Sequence, residues 1–156
     1  RQRAEVRPSM MQIRALGLDD LLSLLALYGQ LHPQDSVRPS GAVARAVFAH
    51  PGLTHYGGFV DGQLVASCNL AVIPNLTRGG RAYGVIENVI TDAAHRGQGR
   101  GRALIAHALQ QAWALDCYKV VLTTSRKDPA VLAFYERCGF DRHDKTAFVA
   151  RPPARS

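Results

Sequence analysis

Six consecutive residues, Arg96-Gly97-Gln98-Gly99-Arg100-Gly101, combine three glycines with two arginines and a glutamine. Glycines let the backbone turn several N–H groups toward one point, and a helix that follows adds the positive end of its dipole. That arrangement binds phosphate oxygens. The run therefore predicts a phosphate-binding loop, with a plain glycine-rich turn as the simpler alternative.

The spacing of the glycines narrows the choice of phosphate ligand. A dinucleotide-binding loop needs GxGxxG/A, but the third position is Arg102 when counted from Gly97 and Leu104 when counted from Gly99. A GxxxxGK[ST] loop for nucleoside triphosphates is also missing from the sequence. The pattern that fits is [RQ]-x-x-G-x-[GA], with Arg96, Gly99 and Gly101 in place.

The elements on both sides of this loop must hold it in position. Tyr83–Thr91 has the pattern of a strand buried on both faces, Arg102–Leu115 that of an amphipathic helix, and Tyr118–Thr124 that of a second buried strand. Together they predict one βαβ crossover with two parallel strands. Asp128-Pro129 is typical of a helix start, and Gly139 of the position just after a helix end.

The remaining segments predict a mixed α/β fold. Its central sheet is mostly antiparallel, with one parallel, splayed strand pair, and helices flank it. Asp61-Gly62 is a two-residue hairpin signal, and Asp19 is the expected cap of the first helix. The other predicted elements are a strand at 11–15, the helix after Asp19, a loop at 29–39, a helix near 41–50, hairpin strands at 56–60 and 64–72, and one or two strands at 140–150.

Length and composition predict one globular domain. The chain has 156 residues, of which 47% are hydrophobic and 20% charged. We expect residues 1–10 to be a leader or an expression remnant, residues 11–151 a single domain and residues 152–156 a tail. No apolar run approaches the ~18 residues of a membrane span. The odd number of cysteines, three without a CxxC pair, favours reduced thiols and a cytoplasmic protein.

Charge and histidine spacing exclude other classes of function. The net charge is +7, but the two ends account for +4 of it, which leaves +3 for residues 11–150. No basic stripe interleaved with aromatics is present, so we expect no nucleic-acid partner. The histidines have no metal-ligand spacing, and we expect no metal.

The strand, loop and helix over residues 83–115 resemble the pyrophosphate-binding motif of the GNAT superfamily of N-acetyltransferases. The later run Phe134-Tyr135-Glu136-Arg137-Cys138-Gly139-Phe140 resembles that superfamily's late helix and its exit. The resemblance covers residues 11–150 and implies the GNAT fold, with acetyl-CoA as co-substrate.

Within the superfamily the motifs are closest to the glucosamine-6-phosphate N-acetyltransferases. Ile86-Glu87-Asn88-Val89 and Cys117-Tyr118-Lys119-Val120 carry this likeness together with the loop and the late helix. The chain departs from that branch twice, because Asn88 and Thr123 stand where the branch has aspartates near the acceptor amine. The acceptor therefore stays open.

The resemblance implies two residues that move protons. Glu87 is the candidate general base, because a carboxylate inside an apolar strand is expected to have a raised pKa. A structural or substrate-orienting carboxylate is the alternative. Tyr135 is the candidate acid, since a phenol with a pKa near ~10 can protonate a thiolate with a pKa near ~8.5. The alternative for Tyr135 is a core aromatic, because it shares an apolar face with Val131, Phe134 and Cys138.

The resemblance also implies binding residues. Acetyl-CoA would contact the backbone of the strand, the loop and the start of the late helix, with an oxyanion-binding N–H at or near Val89. These residues are Val89, Ile90, Thr91, Arg96, Gly97, Gln98, Gly99, Arg100, Gly101 and Asp128. The acceptor would lie near Asn88, Tyr118, Lys119 and Arg151.

The function that follows is acetyl transfer from acetyl-CoA to a primary amine of a small acceptor, with or without a phosphate, by direct attack in a ternary complex. Two alternatives stay open: acetylation of a protein lysine or N-terminus, and a non-catalytic acyl-CoA sensor. The resemblance also suggests a homodimer.

Overall fold

The computed structural model describes residues 9–155, so the predicted leader lies almost entirely outside the described residues. The described chain forms two compact units with a boundary between Leu122 and Thr123. Within residues 9–155, no helix has the length and apolar character needed to cross a membrane.

A five-stranded sheet forms the centre of the first unit and confirms the predicted fold class. Neighbouring strands follow one another in chain order. The first three pairings are antiparallel, and the last is parallel. The strands are β1 (Gln12–Ala15), β2 (Leu53–Val60), β3 (Gln63–Ile73), β4 (Tyr83–Thr91) and β5 (Val120–Leu122).

The β2–β3 hairpin turns at the predicted pair. Asp61 and Gly62 both have positive φ, 50° and 78°. A two-residue turn of this kind matches the right-handed twist of the strands, and aspartate and glycine tolerate the left-handed conformation best. The turn therefore sets the pairing of Val60 with Gln63 and of Phe59 with Leu64, and a bulge between Gly58 and Phe59 shifts the register of the remaining pairs.

Three helices accompany the sheet: α1 (Leu21–Leu31), α2 (Gly41–Ala49) and α3 (Arg100–Ala114). The prediction that Asp19 caps the first helix is wrong. A 3-10 turn, Leu18–Asp20, precedes α1, and Asp20 instead accepts hydrogen bonds from the Gly17 N–H at 2.9 Å and from the Arg14 guanidinium at 2.8 and 2.9 Å. Arg14 of β1 therefore binds the Asp20 carboxylate.

The core lies where α1 and α3 pack against the central strands. α3 packs on β2, β3 and β4 and contributes the fully buried Leu104 and Ile105. α1 packs on β3 and β4, where Leu24 and Leu27 join a cluster with Ile90. β4 therefore contacts both helices, which fixes the strand that leads into the glycine-rich loop.

The second unit contains α4 (Pro129–Arg137). Pro129 is its first residue and Gly139 follows its end with φ 99°, as predicted. The prediction of one or two strands at Phe140–Ala150 is wrong, because residues 140–155 form no strand and Phe148 is 92% exposed. An extended segment needs a partner for its backbone groups, and an alternating pattern cannot provide one.

Candidate active site

The glycine-rich loop has the geometry that its sequence predicts. Gly97 and Gly99 lie in the left-handed region at φ 73° and 74°. Gly99 is the N-cap residue of α3, which begins at Arg100. The helix starts two residues earlier than predicted, so Arg100 and Gly101 belong to its first turn. The N–H groups of a first turn have no partner within the helix, and the helix dipole is positive there.

The loop is open on the side of its glycines and carries two arginines. A Cβ atom placed on Gly97 or Gly99 would meet nothing within 4 Å, so the backbone faces open space. Arg96 Nε donates to the Thr91 carbonyl at 3.0 Å, and Arg100 Nε donates to Gln98 Oε1 at 3.0 Å. These hydrogen bonds hold the guanidinium groups of Arg96 and Arg100 in place, and the charge of both groups suits phosphate oxygens.

The turn before the loop is braced by α1. Asp92 begins a 3-10 turn, Ala93–His95, and accepts a hydrogen bond from the Ala94 N–H at 2.8 Å. Gln30 of α1 donates to Asp92 at 3.1 Å and accepts from the Ala93 N–H at 2.9 Å. These contacts fix the start of the loop relative to the helix that covers β4.

A bulge interrupts β4 just before this end of the strand. Glu87 pairs with Asn69 and Ile90 pairs with Ser67, so β4 has one residue more than β3 between those pairs. Asn88 occupies the bulge with φ 53°, in the left-handed region. Bulges of this kind re-aim the backbone and are frequent beside active sites. Val89, the predicted oxyanion-binding residue, lies directly after this turn.

β4 and β5 separate next to this bulge. Their parallel pairing, which confirms the predicted crossover, covers only Gly84–Ile86 against Val120–Leu122. From Glu87 onward β4 has no pairing with β5 among the described residues. Backbone polar groups on that side need another partner, and an extended ligand can take this place as an added strand would. Val89, Ile90 and Thr91 form this stretch of β4.

Glu87 is exposed, in contrast to the sequence-based premise that an apolar strand buries it. The strand pattern suggested burial on both faces, but β5 ends before it can cover this position. The desolvation on which the argument for a general base relied is absent. The base role therefore rests on the resemblance and on the position of Glu87 at the strand separation.

Two buried polar residues stand in line with Glu87, and sequence reasoning missed them. Asn69 is the direct neighbour of Glu87 across β3–β4, and His55 is the neighbour of Asn69 across β2–β3. They are 8% and 6% exposed. Burial lowers the pKa of His55, whose ring lies 5.1 Å from that of Phe48. Polar residues inside an otherwise apolar strand, such as Asn69 in Gln63–Ile73, were the available signal.

Tyr118 and Lys119, predicted to contact the acceptor, lie at the other end of the parallel pair. The Lys119 carbonyl accepts from the Gly84 N–H at 2.9 Å, and the Lys119 ammonium lies 5.2 Å from the Tyr118 ring centre and 5.4 Å from that of Tyr83. Four residues of strand, about 13 Å, separate this level from Glu87. The structure therefore does not bring them to Glu87 and Asn88.

The other predicted site residues belong to the second unit. Tyr135 lies on α4, half-buried, with its ring edge-on to those of Phe134 at 5.1 Å and Phe140 at 6.4 Å. Asp128 is the N-cap residue of α4 but makes no side-chain cap hydrogen bond; its carboxylate accepts from Arg126 at 2.9 Å. Arg151 is exposed and lies outside any helix or strand.

Comparison with known proteins agrees with this geometry. Residues 19–140 match the model of the acetyltransferase (GNAT) family. The glucosamine 6-phosphate N-acetyltransferase of Trypanosoma brucei brucei is 36% identical over 147 residues, which cover 86% of this chain and 92% of that protein. Glucosamine 6-phosphate N-acetyltransferase 1 of Oryza sativa subsp. japonica is 30% identical, over 83% of this chain and 80% of that protein.

A solved structure extends the likeness to three dimensions. A protein of Agrobacterium tumefaciens str. C58 that is assigned as an acetyltransferase superposes with a TM-score of 0.86 and 46% identity, over 90% of this chain and 99% of that one. The matched family region includes the bulged strand, the glycine-rich loop and α4. The chain therefore belongs to the GNAT family of acetyltransferases.

Proposed function

We propose that this acetyltransferase uses acetyl-CoA and transfers the acetyl group to the primary amine of a small amino sugar, within a ternary complex. One observation carries the proposal: Gly97 and Gly99, both left-handed, precede α3 just beyond the bulged end of β4, where that strand no longer pairs with β5 among the described residues. A phosphate-binding helix start and an open strand edge are thus adjacent in the chain. Together they suit a ligand with a pyrophosphate and an extended amide-containing arm.

The cofactor and the residues have separate parts in the proposed reaction. Acetyl-CoA, when bound, supplies an acetyl thioester whose carbonyl carbon forms the new bond to the amine nitrogen as the carbon–sulfur bond breaks. The loop from Arg96 to Gly101 would hold the pyrophosphate, and the N–H groups of Ile90 and Thr91 would orient the arm. The Val89 N–H would donate to the carbonyl oxygen as negative charge develops on it.

Two protons must be moved for the reaction to balance. Glu87 would accept a proton from the attacking amine, directly or through water, at the exposed position it occupies. Tyr135 would donate a proton to the departing sulfur, a role that the family resemblance suggests. Asp128 is proposed as a further cofactor contact on the same basis.

Glucosamine 6-phosphate is the first acceptor to test, because the relatives from Trypanosoma brucei brucei and Oryza sativa carry that substrate in their names. Asn88 is proposed to contact the acceptor. Tyr118, Lys119 and Arg151 also remain predictions for this role, although Tyr118 and Lys119 lie at the far end of the β4–β5 pair. A cytoplasmic site of action and a homodimer also remain predictions.

The test measures release of free CoA by the full chain with acetyl-CoA and a panel of amines. The panel contains glucosamine 6-phosphate, glucosamine, an aminophosphonate and a peptide with a free N-terminus and a lysine. Turnover with an amino sugar supports the proposal. Turnover with the peptide alone would replace it with protein acetylation. Tight binding of acetyl-CoA without turnover on any amine would favour a sensor.

A further inference from the structure

The hydroxyl of Tyr28, on α1, is buried without a hydrogen bond. Its oxygen is the one buried side-chain polar atom of residues 9–155 that lacks such a partner. Buried polar groups in native proteins nearly always have partners, so a hydroxyl of this kind calls for an explanation. Tyr28 also completes the apolar stripe of α1, which by itself requires only the ring.

The surroundings of this hydroxyl are the bulge of β4 and the strand that pairs with it. The side chains of Asn88 and Ser67 lie beside the hydroxyl. Ser67 already donates its own proton to the Tyr56 carbonyl at 2.9 Å, so its hydroxyl is committed as a donor. Asn88 is the residue with φ 53° that forms the bulge. The Ser67 hydroxyl oxygen and the Asn88 side-chain carbonyl can both accept from Tyr28, and of these two residues only Asn88 forms the bulge.

The hydroxyl can act only as a proton-bearing group. Burial raises the pKa of Tyr28 to about 12, so the phenol keeps its proton at any pH at which the enzyme would work. A permanent donor beside Asn88 can hold an amide in one orientation. Asparagine tolerates the left-handed conformation better than most residues, but the conformation still needs support from its surroundings.

We propose that Tyr28 is a positioning residue that holds the Asn88 side chain, and through it the bulge that aims Glu87 and the Val89 N–H. α1 therefore does more than cover the sheet, because its Tyr28 hydroxyl reaches the strand that carries the reaction. This inference rests on the proposed function for its kinetic consequence. Its structural part, the link between Tyr28 and Asn88, is independent of that function.

The kinetic test is a double-mutant cycle with Tyr28→Phe and Asn88→Ala, with Tyr56→Phe as the matched control. Tyr56 is also a largely buried tyrosine, but its ring contacts His107 of α3. Removal of the hydroxyl that is proposed to hold Asn88 should lower kcat about fivefold in Tyr28→Phe, while the Kd for acetyl-CoA and the Tm stay close to wild type. In the Asn88→Ala background the same substitution should change kcat by less than about twofold. Tyr56→Phe should leave kcat unchanged.

Multiplicative effects of Tyr28→Phe and Asn88→Ala, or an unchanged kcat in Tyr28→Phe, would overturn the inference. A second readout does not need activity: the side-chain amide of Asn88 and the backbone amide of Val89 in ¹⁵N–¹H spectra. Tyr28→Phe should shift both signals, and Tyr56→Phe should shift neither. If the wild type acetylates no amine, the proposed function fails, and these spectra alone then decide whether Tyr28 holds Asn88. Unshifted signals would reject the link.

Discussion

Glu87 occupies the position where β4 loses its β5 partner, and its surroundings differ on its two sides. Toward β3 it faces Asn69 and then His55, both buried. Toward β5 it faces no described strand, which leaves its carboxylate exposed. The proposed base can therefore exchange protons with solvent. We expect the fold to supply its position at the separation of β4 and β5 and not its burial.

Tyr135 carries the clearest prediction for a single residue. Tyr135→Phe keeps the aromatic ring that packs on Phe134 and Phe140 but removes the proposed proton donor. We expect kcat to fall about 10²- to 10⁴-fold, with little change in the Kd for acetyl-CoA, because general acid catalysis contributes at this level. Steady-state rates from pH 6 to pH 10 measure the effect.

Tyr56→Phe is the matched control for the tyrosine acid, since Tyr56 is buried against His107 of α3 and has no part in the proposed reaction. Its kcat should stay within about twofold of wild type if the loss in Tyr135→Phe is specific. Equal turnover of Tyr135→Phe and wild type at every pH would show that the acid is another group.

At the scale of elements, the loop and the start of α3 form the proposed pyrophosphate-binding segment, whose geometry depends on Gly99. The valine of Gly99→Val would be forced to φ 74°, where a β-branched side chain is strained by about 1–2 kcal/mol. The backbone should shift and withdraw its N–H groups from the pyrophosphate. We expect the Kd for acetyl-CoA to rise about tenfold or more in isothermal titration calorimetry.

Gly62→Val controls for strain alone. Gly62 has φ 78° and, like Gly99, open space around a Cβ atom, but it lies in the β2–β3 turn. Its substitution should lower the Tm to a similar extent and leave the acetyl-CoA affinity unchanged. If both variants weaken binding equally, the loop has no special part in it.

The ion pair between Arg14 of β1 and Asp20, just before α1, makes stability depend on acid pH. The hydrogen bonds from Arg14 and from the Gly17 N–H lower the pKa of Asp20 to about 2, against about 3.9 in an unfolded chain. The lowered pKa stabilises the fold above about pH 4, and this contribution disappears as the pH falls toward about 2. Asp20→Asn should therefore lower the Tm at pH 7.

Thermal unfolding at pH 7, 5, 4 and 3 measures this difference, which should shrink as the pH falls below 4. Asp19→Asn is the control, because Asp19 is the exposed neighbour. A Tm difference between wild type and Asp20→Asn that stays constant from pH 7 to pH 3 would contradict the assignment of the ion pair as its cause.

Local patterns predicted some elements to the residue and missed others, and the reason is physical. The bounds of β4 and the turn at Asp61-Gly62 follow from runs of apolar residues and from turn chemistry, which are local. The early end of β5 and the exposure of Glu87 depend on where two strands separate, which no local pattern reports. The strands expected at Phe140–Ala150 failed for the same reason, since a strand needs a neighbour.

The candidate site divides along the same line. The conformation of the loop at Arg96–Gly101 was predictable because the positive φ angles that glycine adopts are a local property of the sequence. The row formed by His55 and Asn69 was not, because it depends on register across three strands. For Tyr28 the helical pattern indicates only an apolar position of α1, because the pattern does not show what the hydroxyl at the end of the side chain contacts.

At the scale of the whole molecule, the core of the first unit sets stability, and Leu104 of α3 is the position to test. Its side chain is fully buried, so Leu104→Ala removes contacts and leaves a cavity. We expect the free energy of unfolding to fall by about 2–5 kcal/mol in urea titrations. Leu76→Ala is the control, because Leu76 is 97% exposed. A loss of less than about 1 kcal/mol for Leu104→Ala would mean that α3 is not part of the core.

The bulge in β4 separates two parts of the strand that both pair with β3. On either side of it the pairs Glu87–Asn69 and Ile90–Ser67 face the same way, because the extra residue is absorbed at Asn88. Deleting Asn88 would leave every other β3–β4 pair in phase, so the ladder could accept a shortened strand. The aim of Glu87 and of the Val89 N–H would change. The pairing of β3 with β4 does not need Asn88, whereas the chemistry proposed for this strand does.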